Sequence, residues 1–155
     1  MISTASNVKI RQFQHSDAKH IASLIQQTLL EVNSQDYPHQ IIQNMIHHYR
    51  SKNIIQRSAN RLNYVAVRRN HIVGTISLTG NLVSGMFVHS KHHGQGIGTQ
   101  MLNHIESIAL KQKYQRVQLA SSITAYEFYL NRGYQPLRDV YSEKHGKAIV
   151  MEKRL

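Results

Sequence analysis

The chain has 155 residues, of which 41% are hydrophobic and 17% charged, as in globular proteins long enough to bury a core. It contains no cysteine, which excludes disulfides, thiolate nucleophiles and cysteine-ligated zinc. The formal net charge of +11 favours anionic ligands such as a nucleotide cofactor, an acidic substrate or nucleic acid.

The distribution of charge and hydropathy narrows these classes. Lysine and arginine are scattered rather than clustered, which favours a solvated surface over a nucleic-acid interface. The polar segment 1–8 does not have the pattern of a signal peptide, and no apolar run approaches the ~20 residues of a membrane span. We therefore expect one cytoplasmic domain over residues 1–155, with no membrane partner and with nucleic acid disfavoured as its main ligand.

The first third of the chain predicts one strand and two helices. Alternation over residues 8–13 indicates a strand, and Ser16 or Asp17 can cap the helix that follows. That helix carries apolar residues on one side: Ile21, Leu24, Ile25 and Leu29. Pro38 marks the start of the second helix after a polar link. The pattern weakens over residues 50–62, where only a short turn is expected.

The rest of the chain alternates between strands and helices. Residues 64–68, 72–78 and 82–88 predict three strands in an antiparallel meander, because their short links cannot cross over. A helix with Ile97, Met101, Ile105 and Ile108 on one face leads to a strand at 116–120, which should lie parallel to 82–88. A helix over 123–131, capped by Ser121 or Ser122, and a hairpin of 134–141 with 147–153 complete the order. This order predicts an α+β fold with a mixed, twisted sheet of six to seven strands and about four helices.

The loop between the third meander strand and the long helix is rich in glycine. Residues 93–98 read His-Gly-Gln-Gly-Ile-Gly. Glycine lets the backbone approach a phosphate, and the first N–H groups of a helix have no intrahelical partner, so this loop can bind an anion. A P-loop or dinucleotide fingerprint is excluded, since the Gly-Lys-Ser/Thr ending is missing and Thr99 and Met101 stand where glycine would be needed. An ordinary strand-to-helix turn is the alternative.

Two segments and the order of elements resemble the GCN5-related N-acetyltransferases. The loop is similar to the family signature Arg/Gln-x-x-Gly-x-Gly/Ala, with His93 in place of Arg or Gln. The segment 122–134 is similar to Asn-x-x-Ala-x-x-x-Tyr-x-x-x-Gly-Phe/Tyr, matching at Ala125, Tyr129 and Gly133 and carrying Ser122 in place of Asn. The resemblance extends over residues 8–153.

The resemblance implies the fold of that family and transfer of an acetyl group from acetyl-coenzyme A to an amine by direct attack. It implies that the pantetheine arm pairs with the backbone of Phe87 and Val88 and bonds to Ser122, and that the Val88 N–H meets the thioester oxygen. It also implies a pyrophosphate site made by the loop and the start of the helix: His93, Gly94, Gln95, Gly96, Ile97, Gly98 and Thr99.

For proton transfer the resemblance implies that Tyr129 is the general acid that protonates the departing thiolate. The central strand offers no glutamate as general base. Glu31 in the link between the first two helices is the leading candidate, followed by Asp36 and His47, and a bound water or no dedicated base is an equal alternative. The 11 histidines show no metal-binding spacing, so no metal is expected.

Two other functions stay open at this stage: a non-catalytic module that binds or senses acyl-coenzyme A, and a nucleic-acid-binding domain. The acceptor is not defined, and small amines, amino acids, antibiotics, polyamines and protein amines all remain candidates. The basic composition argues against a polycationic acceptor. A homodimer is also left open.

Overall fold

The computed structural model describes residues 7–155, so most of the polar segment 1–8 lies outside the described residues. Within this range the chain forms seven strands and five α-helices. The strands are β1 (Lys9–Gln12), β2 (Leu62–Arg68), β3 (His71–Thr79), β4 (Leu82–Val88), β5 (Arg116–Ser122), β6 (Gln135–Ser142) and β7 (Gly146–Arg154). The helices are α1 (Ala18–Glu31), α2 (His39–His48), α3 (Ser51–Ser58), α4 (Ile97–Lys111) and α5 (Tyr126–Leu130).

The seven strands form one mixed sheet in the order β1-β2-β3-β4-β5-β7-β6. The predicted antiparallel meander of β2, β3 and β4 is confirmed, and so is the parallel pairing of β5 with β4. Both pairings follow from the connections between the strands. A two-residue turn makes the next strand antiparallel, and the crossover through α4 makes β5 parallel to β4. The α+β class is confirmed.

The turn predicted around Ile54 and Ile55 is wrong, because this segment forms the helix α3. Among its eight residues only Ile54 is buried, so the apolar pattern is too sparse to indicate a helix. The helix packs against α1, and the Arg57 guanidinium donates a 2.8 Å hydrogen bond to the His48 carbonyl at the end of α2. Tertiary contacts therefore stabilise this short helix.

The helix predicted over residues 123–131 begins later, at Tyr126. The Ser122 hydroxyl accepts the N–H of Ala125 at 3.1 Å and forms a turn ahead of the helix. The Ile123 N–H donates to the Tyr37 hydroxyl at 2.8 Å, and that hydroxyl donates in turn to the Lys147 carbonyl at 2.7 Å. Tyr37 thus ties the link between α1 and α2 to the ends of β5 and β7.

Two apolar clusters cover the two faces of the sheet. The helix α4 packs its predicted face, including Met101 and Ile105, onto one side with Tyr134 from the start of β6. The helices α1, α2 and α3 cover the other side through residues such as Leu29 and Ile42. No helix among residues 7–155 has the length and apolar character that crossing a bilayer would require. The sheet therefore lies between two helical layers.

The start of α1 is stabilised differently from the predicted cap. Asp17 stands at the N-cap position but makes no side-chain bond to the first turn of the helix. Its carboxylate instead accepts bonds of 2.8 and 2.9 Å from the Arg11 guanidinium and one of 2.8 Å from the Gln14 N–H. Burial raises the pKa of Asp17, and the bonds from Arg11 and Gln14 more than offset this, so the net pKa is lower than usual.

We expect Asp17→Asn to destabilise the protein by about 2 kcal/mol at neutral pH, because it removes charge-assisted bonds to a buried carboxylate. A lowered pKa gives stability that is present above the ordinary value of about 4 and is lost as the pH falls through the lowered value. The variant should therefore show less loss of stability in acid than the wild type. Urea unfolding between neutral and acidic pH measures both effects.

The matched control is Asp139→Asn on the edge strand, where the ion pair with Lys147 spans 3.7 Å and both side chains are more than half exposed. An exposed pair of this kind contributes little, so this variant should stay within about 0.5 kcal/mol of the wild type. Equal effects of the two substitutions on the free energy of unfolding would contradict a stabilising role of the buried Asp17 carboxylate.

Candidate active site

The strands β4 and β5 part soon after they meet, and this opens the middle of the sheet. In the described part of the chain they pair only at Leu82↔Gln118 and Val83↔Leu119. A bulge in β4 helps to bend the strand away, since Gly85 has a left-handed φ of 58° and the register against β3 shifts there. The gap leads into a cavity of about 770 Å³.

Most of the predicted site residues line this one cavity. They come from β4, the glycine loop, the first turn of α4, the end of β5 and α5: Phe87, Val88, His93, Gly94, Gly96, Ile97, Gly98, Thr99, Ser122 and Tyr129. The fold therefore brings together two segments that lie far apart in sequence. Gln95 and the predicted base Glu31 are not among the lining residues.

The first turn of α4 supplies free N–H groups to the cavity. Gly96 is the N-cap residue, with φ of 81° and no side-chain cap, and the first intrahelical bond runs from the Gln100 N–H to its carbonyl at 3.0 Å. The N–H groups of Ile97, Gly98 and Thr99 thus lack intrahelical partners. A Cβ at Gly94 would meet no atom within 4 Å, so space lies beside the loop. This geometry fits the pyrophosphate of a nucleotide cofactor.

Arg132 is a cavity residue that the sequence analysis missed. Its Nε donates to the Thr99 hydroxyl at 2.9 Å, and its guanidinium lies 3.9 Å from the centre of the Phe128 ring. It is the one arginine or lysine in the cavity wall formed by residues 7–155. Its place just before Gly133 in the second motif is the only sequence signal that could have indicated it.

The side chain of Gln95 is directed to the protein rather than to the cavity. Its carbonyl oxygen accepts a hydrogen bond from the Arg68 guanidinium at the end of β2. The same guanidinium lies 3.0 Å from Nδ1 of His92. Arg68 therefore holds the glycine loop against the sheet, and Gln95 has only its backbone to offer a cofactor.

The backbone of Val88 faces the gap. The next residue, His89, donates its N–H to the Val73 carbonyl at 2.8 Å, and neighbouring residues of a strand point their N–H groups to opposite sides. The Val88 carbonyl accepts a 2.7 Å bond from Nε2 of His93, which must carry the hydrogen because a carbonyl only accepts. The Val88 N–H is thus fixed in a direction where it can bind a developing oxyanion.

Tyr129 contributes a buried hydroxyl group to the cavity. Only 7% of the residue is exposed, and the hydroxyl donates to the Met86 sulfur at 3.4 Å, beside the bulge of β4. Burial raises the pKa of Tyr129, and the nearby Tyr49 raises it further. The phenol therefore stays protonated at neutral pH and holds a proton that can be donated within the cavity.

The three predicted bases are not brought to the cavity wall. Glu31 is exposed and accepts a 2.6 Å bond from the Ser90 hydroxyl, which together with Gln27 lowers the pKa of Glu31. The Asp36 carboxylate accepts a 2.7 Å bond from Thr124, and His47 is exposed near Arg50. A basic role for any of these residues stays a prediction.

A cluster of aromatic rings at the other end of the cavity was not foreseen. The Tyr49 ring lies 5.2 Å from Phe87 and 6.0 Å from His145, both edge to face. Burial lowers the pKa of His145, and that of the adjoining His48 falls to about 3, so both imidazoles are neutral at pH 7. His145 comes from the turn between β6 and β7, which no motif connects to the site.

No group of three or more His, Asp or Glu side chains that could hold a metal ion occurs in the described range. The cavity instead offers N–H donors at one end, an oriented N–H and a phenol in the middle, and a neutral aromatic compartment at the other end. This arrangement can bind an extended anionic ligand and act on a group at its tip.

Comparison with known proteins agrees with this geometry. The structure superimposes on a GCN5-related N-acetyltransferase from Rhodopseudomonas palustris with a TM-score of 0.90 and 21% identity, over 100% of this chain and 99% of that one. For the PaiA N-acetyltransferase from Thermoplasma acidophilum, solved with coenzyme A, the TM-score is 0.80 with 18% identity, over 96% and 99% of the two chains. An aminoglycoside 6'-N-acetyltransferase complexed with coenzyme A gives a TM-score of 0.69 with 15% identity, over 94% and 96%.

Structural likeness at such low identity shows the fold, and the family is shown by sequence. No curated protein matches the chain in sequence. The sequence model of the acetyltransferase (GNAT) domain matches residues 17–155, which is most of the chain. The chain therefore belongs to the GNAT family of acetyltransferases, whose acyl donor is acetyl-coenzyme A.

Proposed function

We propose that this protein transfers an acetyl group from acetyl-coenzyme A to the amine of an acceptor by direct attack, without a covalent enzyme intermediate. One observation carries the proposal: a single cavity runs from the free N–H groups of α4 past the Val88 N–H to the Tyr129 hydroxyl. These groups correspond in order to the phosphates, the thioester oxygen and the sulfur of the donor.

The residues of the chain have separate tasks. When bound, acetyl-coenzyme A supplies an activated thioester. The N–H groups of α4 and the guanidinium of Arg132 hold negative charge at one end. The Val88 N–H stabilises the negative charge that develops on the carbonyl oxygen. The Tyr129 hydroxyl holds the proton that the leaving sulfur needs.

The reaction balances without a further reagent. The neutral acceptor amine forms a C–N bond as the C–S bond breaks, the sulfur leaves as a thiol and the amine loses one proton. That proton replaces the one given by Tyr129, directly or through solvent. The absence of cysteine is consistent with direct transfer rather than a thioester on the enzyme.

The experiment that tests the proposal measures acetyl-coenzyme A binding by calorimetry and free thiol release in the presence of amines. Binding together with acceptor-dependent thiol release supports it. Binding with no thiol release for a broad panel of amines would instead favour the non-catalytic acyl-coenzyme A module. A lack of binding would contradict both.

A further inference from the structure

The end of the cavity opposite α4 has a composition that selects among amines. It is formed by α1, the link that follows it, α2 and the turn between β6 and β7. The residues that define its chemistry are Leu29, Val32, Asn33, Met45, Tyr49 and His145. Among the described residues, no aspartate or glutamate contributes to the wall of the cavity. An amine with several positive charges therefore finds no counter-charge there.

Asn33 is a polar residue of the cavity wall. Only 7% of the residue is exposed, and it lines the cavity. Its side-chain amide makes no hydrogen bond with another residue in the range 7–155. Its amide atoms are not among the fully buried side-chain atoms that lack a partner, so the amide is open to the cavity and can bind a polar group of a ligand there.

Positively charged side chains lie close to Tyr49, at the end of the cavity opposite α4. The Arg57 guanidinium lies 5.6 Å from the centre of the Tyr49 ring and donates to the His48 carbonyl at 2.8 Å. Burial lowers the pKa of His48, and the nearby charges of Arg57, Lys144 and Arg61 lower it further. The nearest carboxylate in the link, Asp36, is bonded to Thr124. Arg57 therefore places a positive charge beside the Tyr49 end of the cavity, where it favours an anionic group on the acceptor, while Asp36 keeps its negative charge beside Thr124.

The walls between these polar features are apolar and aromatic. Tyr49 packs edge to face on Phe87, and its Cε1 lies 3.9 Å from the position of a Cβ at the Gly85 bulge. Met45 and Leu29 are buried beside it. An aliphatic or aromatic group of an acceptor would bury its surface against these side chains.

We propose that the acceptor is an α-amino acid with an apolar or aromatic side chain, whose carboxylate binds the Asn33 amide within the field of Arg57. The inference rests on the proposed acetyl transfer and specifies its substrate class. The amine of such a molecule is the nucleophile, and the side chain packs against Tyr49, Met45 and Leu29.

The test compares L-phenylalanine with 2-phenylethylamine, which has the same ring and amine but lacks the carboxylate, and with spermidine. Thiol release gives kcat/KM for each, corrected for the fraction of neutral amine at the assay pH. The wild type should prefer L-phenylalanine over 2-phenylethylamine by about tenfold or more, the worth of one hydrogen bond to a charged group. Spermidine should be poorer still.

Asn33→Asp and Asn33→Ala should both lower the preference for L-phenylalanine about tenfold, the first by repulsion and the second by loss of the donor. The preference is a ratio within one protein preparation, so partial unfolding of a variant does not change it. Asn103→Asp, an exposed residue of α4 outside the cavity, is the matched control and should keep the wild-type ratio.

Several outcomes would overturn the inference. These are a wild-type preference for spermidine or for 2-phenylethylamine, an unchanged ratio in both Asn33 variants, or no turnover of L-phenylalanine by a protein that binds acetyl-coenzyme A. In each of these cases binding of the donor is retained, so the assignment of the cofactor site stands. Failure to bind acetyl-coenzyme A would defeat the proposed function itself, and the two failures are thus distinguished.

Discussion

Tyr129→Phe should lower kcat about a hundredfold or more and leave the dissociation constant of acetyl-coenzyme A nearly unchanged. The substitution removes one hydroxyl, whose partner is the Met86 sulfur, and keeps the ring that packs in the core. Without the phenol the sulfur must leave as a thiolate. Steady-state thiol release and calorimetric titration measure the two quantities.

The matched control is Tyr126→Phe, on the same short helix, where the tyrosine makes no side-chain hydrogen bond to another of the described residues. It should retain wild-type kcat. Because the pKa of Tyr129 is raised, the alkaline decline of kcat that comes from loss of its proton should lie above pH 10, the ordinary tyrosine value. A wild-type rate in Tyr129→Phe would assign the protonation of sulfur to water.

Gly96→Tyr should abolish the stabilisation by acetyl-coenzyme A. At a donor concentration 100 times the dissociation constant, the wild type should gain about 2.7 kcal/mol, or roughly 5 to 10 °C in Tm for a chain of this size. The variant places a large side chain at a residue that lines the cavity with φ of 81°. Thermal unfolding with and without the donor measures the shift.

Gly80→Tyr is the control for that variant. Gly80 also has a left-handed φ, of 59°, but it lies in the turn between β3 and β4, away from the cavity. Both variants carry the backbone strain of a bulky residue at positive φ, so both should start from a lower Tm. Only the Gly80 variant should retain the full shift with the donor, and an equal shift in the two proteins would remove the loop from the binding site.

The sheet could be predicted well because its connections are local. Short turns at Asn70 and Gly80 leave the meander no other topology, and the crossover through α4 determines the direction of β5. The helix α3 could not be predicted, because only one of its residues is buried and its contact with α1 and the hydrogen bond from Arg57 are not visible in the sequence. The late start of α5 depends on Tyr37, which lies 86 positions away from its partner Ile123.

The candidate site divides in the same way. The residues assigned to the cofactor could be expected to lie together, because a contiguous loop and helix start contain nearly all of them, and most of them line the cavity. The acceptor end could not, since Asn33, Tyr49 and His145 come from three separate segments that meet only after folding. The direction of a side chain could not be predicted either. Gln95 belongs to the glycine-loop motif, but its side-chain amide is hydrogen-bonded to Arg68.

The short pairing between β4 and β5 has a mechanical consequence. The sheet consists of two parts, β1 to β4 and β5 to β7, which are joined only by the two residue pairs between β4 and β5. Tyr37 links the two parts, because it lies between α1 and α2 on the first part and its hydroxyl is hydrogen-bonded to Ile123 and Lys147 on the second. Because the cavity opens where these two parts diverge, we expect a ligand that contacts both parts to restrain their movement relative to each other.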